Sequence, residues 1–207
     1  MEETKLETGP EVSEIKNNPP EKTVIKTKAQ SVWELLRFAF IALIIVIPIR
    51  VFIAEPFIVS GSSMFPTFEN ANYLIVDKLS YKLSSPQRDD VIIFKYPNDP
   101  TKFFIKRIIG LPGETVDVKS AKNEVTIINK DNPNGLKLNQ PFIENIGGID
   151  AHMTLQDNEY FVMGDNRSGS SDSRYWGPVK RELIIGRALL RLLPINKIGI
   201  MPGNYKQ

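Results

Sequence analysis

Residues 32–54 form an apolar run whose only charges are Glu34, Arg37 and Arg50. A helix rises about 1.5 Å per residue and a bilayer core is about 30 Å thick, so about 20 residues are needed to cross. The run is long enough. The part between Arg37 and Arg50 is shorter, so Arg50 must extend to the far interface or face a partner. Lys22, Lys26, Lys28 and Arg37 cluster on the N-terminal side. By the positive-inside rule the N-terminus stays in the cytoplasm, and everything after Ala54 lies outside it. A cleaved leader and a buried core helix are the alternatives, but a leader rarely has so long a stretch before its apolar core. The expectation is an uncleaved single-pass anchor over 31–54. Before it, residues 1–30 combine Glu2, Glu3, Glu7, Glu11 and Glu14 with Pro10, Pro19 and Pro20, and read as a disordered cytoplasmic tail. No later segment can span: 183–193 is too short and carries Arg187 and Arg191.

Beyond the anchor, short runs rich in Val, Ile, Phe and Tyr recur between turn signals, as strands do. They include 73–76, 91–94, 103–109, 114–118, 124–128 and 160–163, separated by Pro97-Asn-Asp-Pro100, Gly110-Leu-Pro-Gly113 and Asn132-Pro-Asn-Gly135. Antiparallel sheets, as a barrel or sandwich, follow from that spacing. The stretch from about 120 to 157 is more polar and less regular, and reads as an insert or peripheral hairpin within a β-rich domain over 55–207. The 207 residues carry a net charge of +2, which gives no electrostatic reason to expect nucleic acid. There is no cysteine, which removes disulfides, thiolate zinc sites and cysteine nucleophiles. The single histidine, His152, falls in the insert and reads as a surface residue.

The nucleophile candidates are therefore hydroxyls and lysines. The most unusual hydroxyl cluster is Val59-Ser-Gly-Ser-Ser-Met-Phe-Pro-Thr67, a few residues past the anchor. Gly61 permits backbone closed to other residues and Pro66 stiffens the chain beyond. Taken alone, the cluster is also an ordinary polar turn. Lys106 lies in Phe103-Phe-Ile-Lys-Arg-Ile-Ile109, where alternation puts it on one face with Phe104 and Ile108, and Arg107 on the other with Ile105 and Ile109. An apolar setting favours the neutral amine, which is a competent base near neutral pH; arginine stays protonated. The plain alternative is two solvated cations on an edge strand. A third cluster, Gly164 to Gly177, is dense in hydroxyls, acids and arginines after a strand, where positioned loops often carry function. Asp165, Asn166 and Asp172 would suit a hard cation, but the ordered spacing of a calcium loop is missing.

Taken together, Ser63-Met-Phe-Pro-Thr67, then Lys106-Arg-Ile-Ile-Gly-Leu-Pro-Gly113, then Gly164-Asp-Asn-Arg-Ser-Gly-Ser-Ser-Asp-Ser-Arg174 resemble the type I signal peptidases. The resemblance runs from the anchor to about residue 195, excluding the insert. It implies a mainly β, antiparallel catalytic domain behind one transmembrane helix, and a serine–lysine dyad that needs no metal or cofactor. Ser63 matches the nucleophile and Lys106 the base. Ser170 matches the serine that orients the lysine, and Asp172 the nearby aspartate, with Arg174 as its ion-pair partner. Asp165 and Arg107 are a second candidate pair. The implied substrate is the end of a secretory signal peptide with small residues before the cut. Phe57, Val59, Met64, Phe68 and Ile105 would line its pockets, although all five suit ordinary core packing. Phe52, Phe57 and Tyr175-Trp176 are candidates for contact with the bilayer. Secretory precursors and the lipid bilayer are the implied partners, and a bacterial plasma membrane the implied location.

One departure stands out. The oxyanion formed on attack needs preorganised donors, and the Ser63 N–H is one. Many relatives place a second, a serine hydroxyl, two residues before the nucleophile. Here that residue is Gly61, leaving Ser60, Ser62 or a backbone amide to substitute. Two other readings compete: a self-cleaving repressor protease, which should carry a DNA-binding helix-turn-helix, and a catalytically dead membrane-tethered binding protein, which has no need of Ser63, Lys106, Ser170 and Asp172 together.

Overall fold

The computed structural model describes residues 28–205. Most of the expected N-terminal tail lies outside the described residues; its last three residues open helix α1 (Lys28–Pro48). Within α1, the stretch Ser31–Pro48 has a mean hydropathy of 2.0, and none of it is buried. A helix of this length and hydropathy is consistent with a membrane anchor. Pro48 lacks the N–H that would extend the ladder, and the chain passes into a π-helical turn at Ile49–Ile53. The chain divides into two compact units, with the boundary between Ala42 and Leu43.

The second unit is built on antiparallel strands. They are β1 (Ala54–Ile58), β2 (Tyr73–Asp77), β3 (Val91–Tyr96), β4 (Asp99–Gly110), β5 (Thr115–Lys119), β6 (Glu124–Ile128), β7 (Leu136–Lys137), β8 (Ala151–Thr154), β9 (Glu159–Met163), β10 (Val179–Lys180), β11 (Ile184–Leu193) and β12 (Gly199–Ile200). Short helices α2 (Ser80–Leu83) and α3 (Ser173–Trp176) interrupt them. The larger sheet has the order β1-β2-β11-β3-β4-β9-β10, with β12 on β11. β3 shows why the sheet is buried on both faces. Its continuous Val91-Ile-Ile-Phe94 run sends Val91 and Ile93 into one core cluster, with Leu74 and Val76, and Ile92 and Phe94 into another, with Ile108 and Val162. The mainly β, antiparallel fold expected from the spacing is the fold observed.

Two parts differ from the expectation. The insert is a four-stranded sheet of order β7-β6-β5-β8, and it begins at Thr115 rather than at 120. Alternation in β5 (Val116, Val118) and β6 (Val125, Ile127) was readable as strand; the partner each strand would choose was not. These residues form a core with Ile109, Phe161 and Met163, so the smaller sheet packs on the ends of β4 and β9. The second difference is β11. The 183–193 region, too short to span a membrane, is a strand that lies between β2 and β3 in the larger sheet.

Candidate active site

Ser63 lies in the loop joining β1 to β2. The neck of this loop is closed by Val59 N–H to Asn72 O at 2.9 Å and Ala71 N–H to Val59 O at 2.9 Å. Inside the neck the Gly61 backbone turns at φ +93°, and its N–H donates to Asn70 Oδ1 at 3.0 Å. Just beyond the serine, Met64 and Phe68 are buried in the core with Leu74 and Val76. An apolar anchor on one side and a hydrogen-bonded turn on the other leave little freedom to the residue between them.

Lys106 comes from β4, 43 residues later, and its Nζ lies 2.7 Å from Ser63 Oγ. The same nitrogen donates to Ile105 O at 3.0 Å. Only 4% of Lys106 is exposed. Burial pushes the amine down to about 8, against the opposing fields of Asp172 and Asp165. A neutral amine has a lone pair to accept the serine proton, so this geometry suits proton transfer.

The loop from 164 to 174 fastens the pair. Asn166 N–H donates to Ser63 O at 3.1 Å, and its Nδ2 to Ser62 O at 3.1 Å. Gly164 makes this approach possible: a Cβ there would overlap both Ser63 O and the Ser170 side chain. Asp165 accepts from Arg107 Nε at 2.8 Å and Nη2 at 2.6 Å, and from Thr67 Oγ1 at 2.5 Å. Asp172 accepts from Arg174 Nε at 2.8 Å and Nη2 at 2.9 Å, and from Gly164 N–H at 3.1 Å. Both suggested ion pairs are therefore present. With each carboxylate engaged by a guanidinium, neither Asp165 nor Asp172 is disposed as a cation ligand.

Ser170 differs from its expected part. It is buried against Gly164, and its Oγ has no hydrogen-bond partner among the described residues, so it does not orient Lys106 through a hydrogen bond in this structure.

A cleft of about 530 Å³ opens over Ser63 and Lys106. Phe57, Val59 and Ile105 line it. Met64 and Phe68 do not: they point into the core beneath. Phe103 and Phe104 line the cleft as well and were not singled out; their place on the Lys106 strand was the available signal. Asn70 and Asn166 were also missed as loop fasteners, because nothing in a short polar loop shows where an amide will reach. Of the aromatics suggested for the bilayer, Phe52 and Tyr175 are exposed. Trp176 instead packs on Phe94 and Tyr96, at 5.9 and 5.7 Å between centroids. His152 is at the surface, 3.2 Å from Asp117.

The family model described as signal peptidase, peptidase S26, matches residues 32–193. A probable signal peptidase I-2 of Synechocystis sp. is 37% identical over 198 residues, covering 92% of this chain and 83% of that protein. Signal peptidase I of Leptolyngbya laminosa is 35% identical, covering 87% and 90% respectively. A crystal structure of a signal peptidase I from Enterococcus faecalis V583 is 33% identical over 50% of this chain and 97% of that one, with a TM-score of 0.42. The protein is thus a peptidase, a hydrolase of peptide bonds. The chain belongs to the signal peptidase family, peptidase S26.

Proposed function

We propose that this protein is a membrane-bound serine endopeptidase that removes N-terminal signal peptides from secretory precursors, with Ser63 as nucleophile and Lys106 as general base. The observation that carries this reading is the 2.7 Å separation of Lys106 Nζ and Ser63 Oγ, with the lysine buried and its pKa lowered to about 8. As Oγ bonds to the scissile carbonyl carbon, its proton passes to the Nζ lone pair. Collapse of the tetrahedral intermediate breaks the C–N bond, and the ammonium returns the proton to the departing amine of the mature chain. Water, deprotonated by the same lysine, then releases the signal peptide from the acyl ester. The Ser63 N–H is the first oxyanion donor, and Ser60 and Ser62, both at the cleft, are the candidates to replace the hydroxyl missing at Gly61.

Phe57, Val59 and Ile105 give the cleft shallow apolar walls suited to small residues before the cut. Asp172 supports the dyad by holding the 164–174 loop through Arg174 and the Gly164 N–H, and Ser170 through packing beside Gly164. Helix α1 is the anchor of a membrane protein, in which 31–54 crosses a bacterial plasma membrane once, the N-terminal tail stays in the cytoplasm and 55–207 works on the far side. The test is cleavage of a precursor with an Ala-x-Ala site, in detergent or lipid, by wild type beside Ser63→Ala. Cutting after the final alanine by wild type alone supports the reading. Cutting by both removes Ser63 from the mechanism, and cutting by neither, with folded protein, removes the function.

A further inference from the structure

The buried loop that fastens the dyad is itself held from outside the three motifs. Between β7 and β8 the chain passes through Gly147 and Gly148, at φ +137° and +100°. Gly147 O accepts from Arg174 Nη1 at 2.7 Å. The other donors of that guanidinium go to Asp172 and, from Nη2 at 2.7 Å, to Arg167 O. The side chains of Arg174 and Asp172 are both 0% exposed. A Cβ on Gly148 would overlap Arg174 Nη1 and lie 2.8 Å from its Cζ and 3.2 Å from Arg167 O. An arginine tip usually moves aside at little cost. This one cannot, because moving it strips a buried carboxylate of its partner. The glycine loop is anchored in turn to the smaller sheet: Ser120 N–H donates to Asp150 Oδ1 at 2.7 Å, and Ser120 Oγ to Ile149 O.

We propose that Gly147 and Gly148 are positioning residues for the peptidase reaction, through which the smaller sheet holds Arg174 on Asp172 and thereby fixes the 164–174 loop against Ser63 and Lys106. The relay is continuous. Ser120 holds the glycine loop, Gly147 O holds Arg174, Arg174 holds Asp172, and Asp172 accepts the Gly164 N–H beside the point where Asn166 binds Ser63 O. The carboxylates acting on Lys106 are Asp172, paired with Arg174, and Asp165, paired with Arg107; Lys102 stands at the cleft rim. Displacing Arg174 strengthens the Asp172 field at the lysine, favouring its ammonium form.

This rests on the serine–lysine reading above, and the experiment separates the two. Gly148→Ala is assayed on the Ala-x-Ala precursor as a function of pH, beside wild type, Ser63→Ala, Arg174→Lys and the Gly148→Ala/Arg174→Lys double variant. Gly148→Ala should lose roughly 10- to 100-fold in kcat with little change in KM. The acid limb of its profile should move to higher pH. Arg174→Lys cannot reproduce the two-nitrogen fork on Asp172 and gives up the Gly147 and Arg167 carbonyls, so it too leaves the carboxylate less compensated and should show the same two effects. Adding Gly148→Ala to it should then cost nothing further, because both act through one contact. A Gly148→Ala enzyme that melts earlier but keeps wild-type kcat and pH profile overturns the proposal, as do independent, additive losses. If Gly148→Ala does not fold, Arg174→Lys decides alone, and wild-type behaviour from it overturns the proposal. Absence of cleavage by wild type, or cleavage surviving Ser63→Ala, is instead the failure of the peptidase reading and takes this proposal with it.

Discussion

Lys106 and Arg107 are neighbours on one strand, both cations and both buried, yet they have opposite surroundings. Arg107 is sealed into a fully partnered site. It makes two hydrogen bonds to Asp165 and donates to the Asp89 and Gly203 carbonyls. Phe142, 4.0 Å from the guanidinium, and Tyr205, 5.5 Å away, complete the enclosure. Among the described residues, Lys106 is given the Ser63 hydroxyl, one carbonyl and the face of Phe104. Burial without a touching counter-ion makes an amine want to lose its proton; burial with one makes a guanidinium a rigid strut. Alternation along a strand lets a chain set these two environments one residue apart.

The comparison breaks most sharply at the reactive face. Ser63→Ala and Lys106→Arg should each cut turnover on the order of 10⁴-fold while the melting temperature stays near that of wild type. Comparable turnover from Lys106→Arg would mean that a neutral amine is not required. On the sealed face the losses should be in stability instead. Arg107→Ala leaves Asp165 buried and unpaired, and should cost about 3–5 kcal/mol in denaturant unfolding. A loss near zero would show that the pair is not desolvated as described. Smaller again, and of opposite sign, is Lys106→Met. The native amine has its pKa lowered from 10.5 to about 8, so holding the charged form in the fold costs about 3 kcal/mol below pH 8. That cost is relieved as pH rises from about 8 to 10.5, where the unfolded chain still binds the proton and the folded one does not. Lys106→Met should thus be more stable than wild type at pH 7, with an advantage that fades above pH 8. An advantage independent of pH would point to packing alone.

Much of this contrast was legible in the sequence. The period of two from Phe103 to Ile109 put the two cations on opposite faces, and the three motifs brought Ser63, Lys106 and the 164–174 loop together. What was not legible depended on partner choice. β11 has the composition of a strand, yet nothing local says that it will pair with both β2 and β3. Met64 and Phe68 are apolar residues beside a nucleophile, a description that fits a pocket wall and a core equally well. The difference is which way the loop turns, and that is set by distant contacts such as Asn166 to Ser63 O. Gly147 and Gly148 lie in an irregular stretch with no period, and their contact with Arg174 spans 27 residues.

The most direct test of the central claim, that a buried neutral Lys106 activates Ser63, is the pH dependence of kcat/KM on a precursor with an Ala-x-Ala site. This quantity reports the free enzyme's base. Activity should climb with pH to a plateau, with a midpoint near the lowered lysine value of about 8. A profile that is flat across that range, or that falls as the lysine deprotonates, would contradict the account.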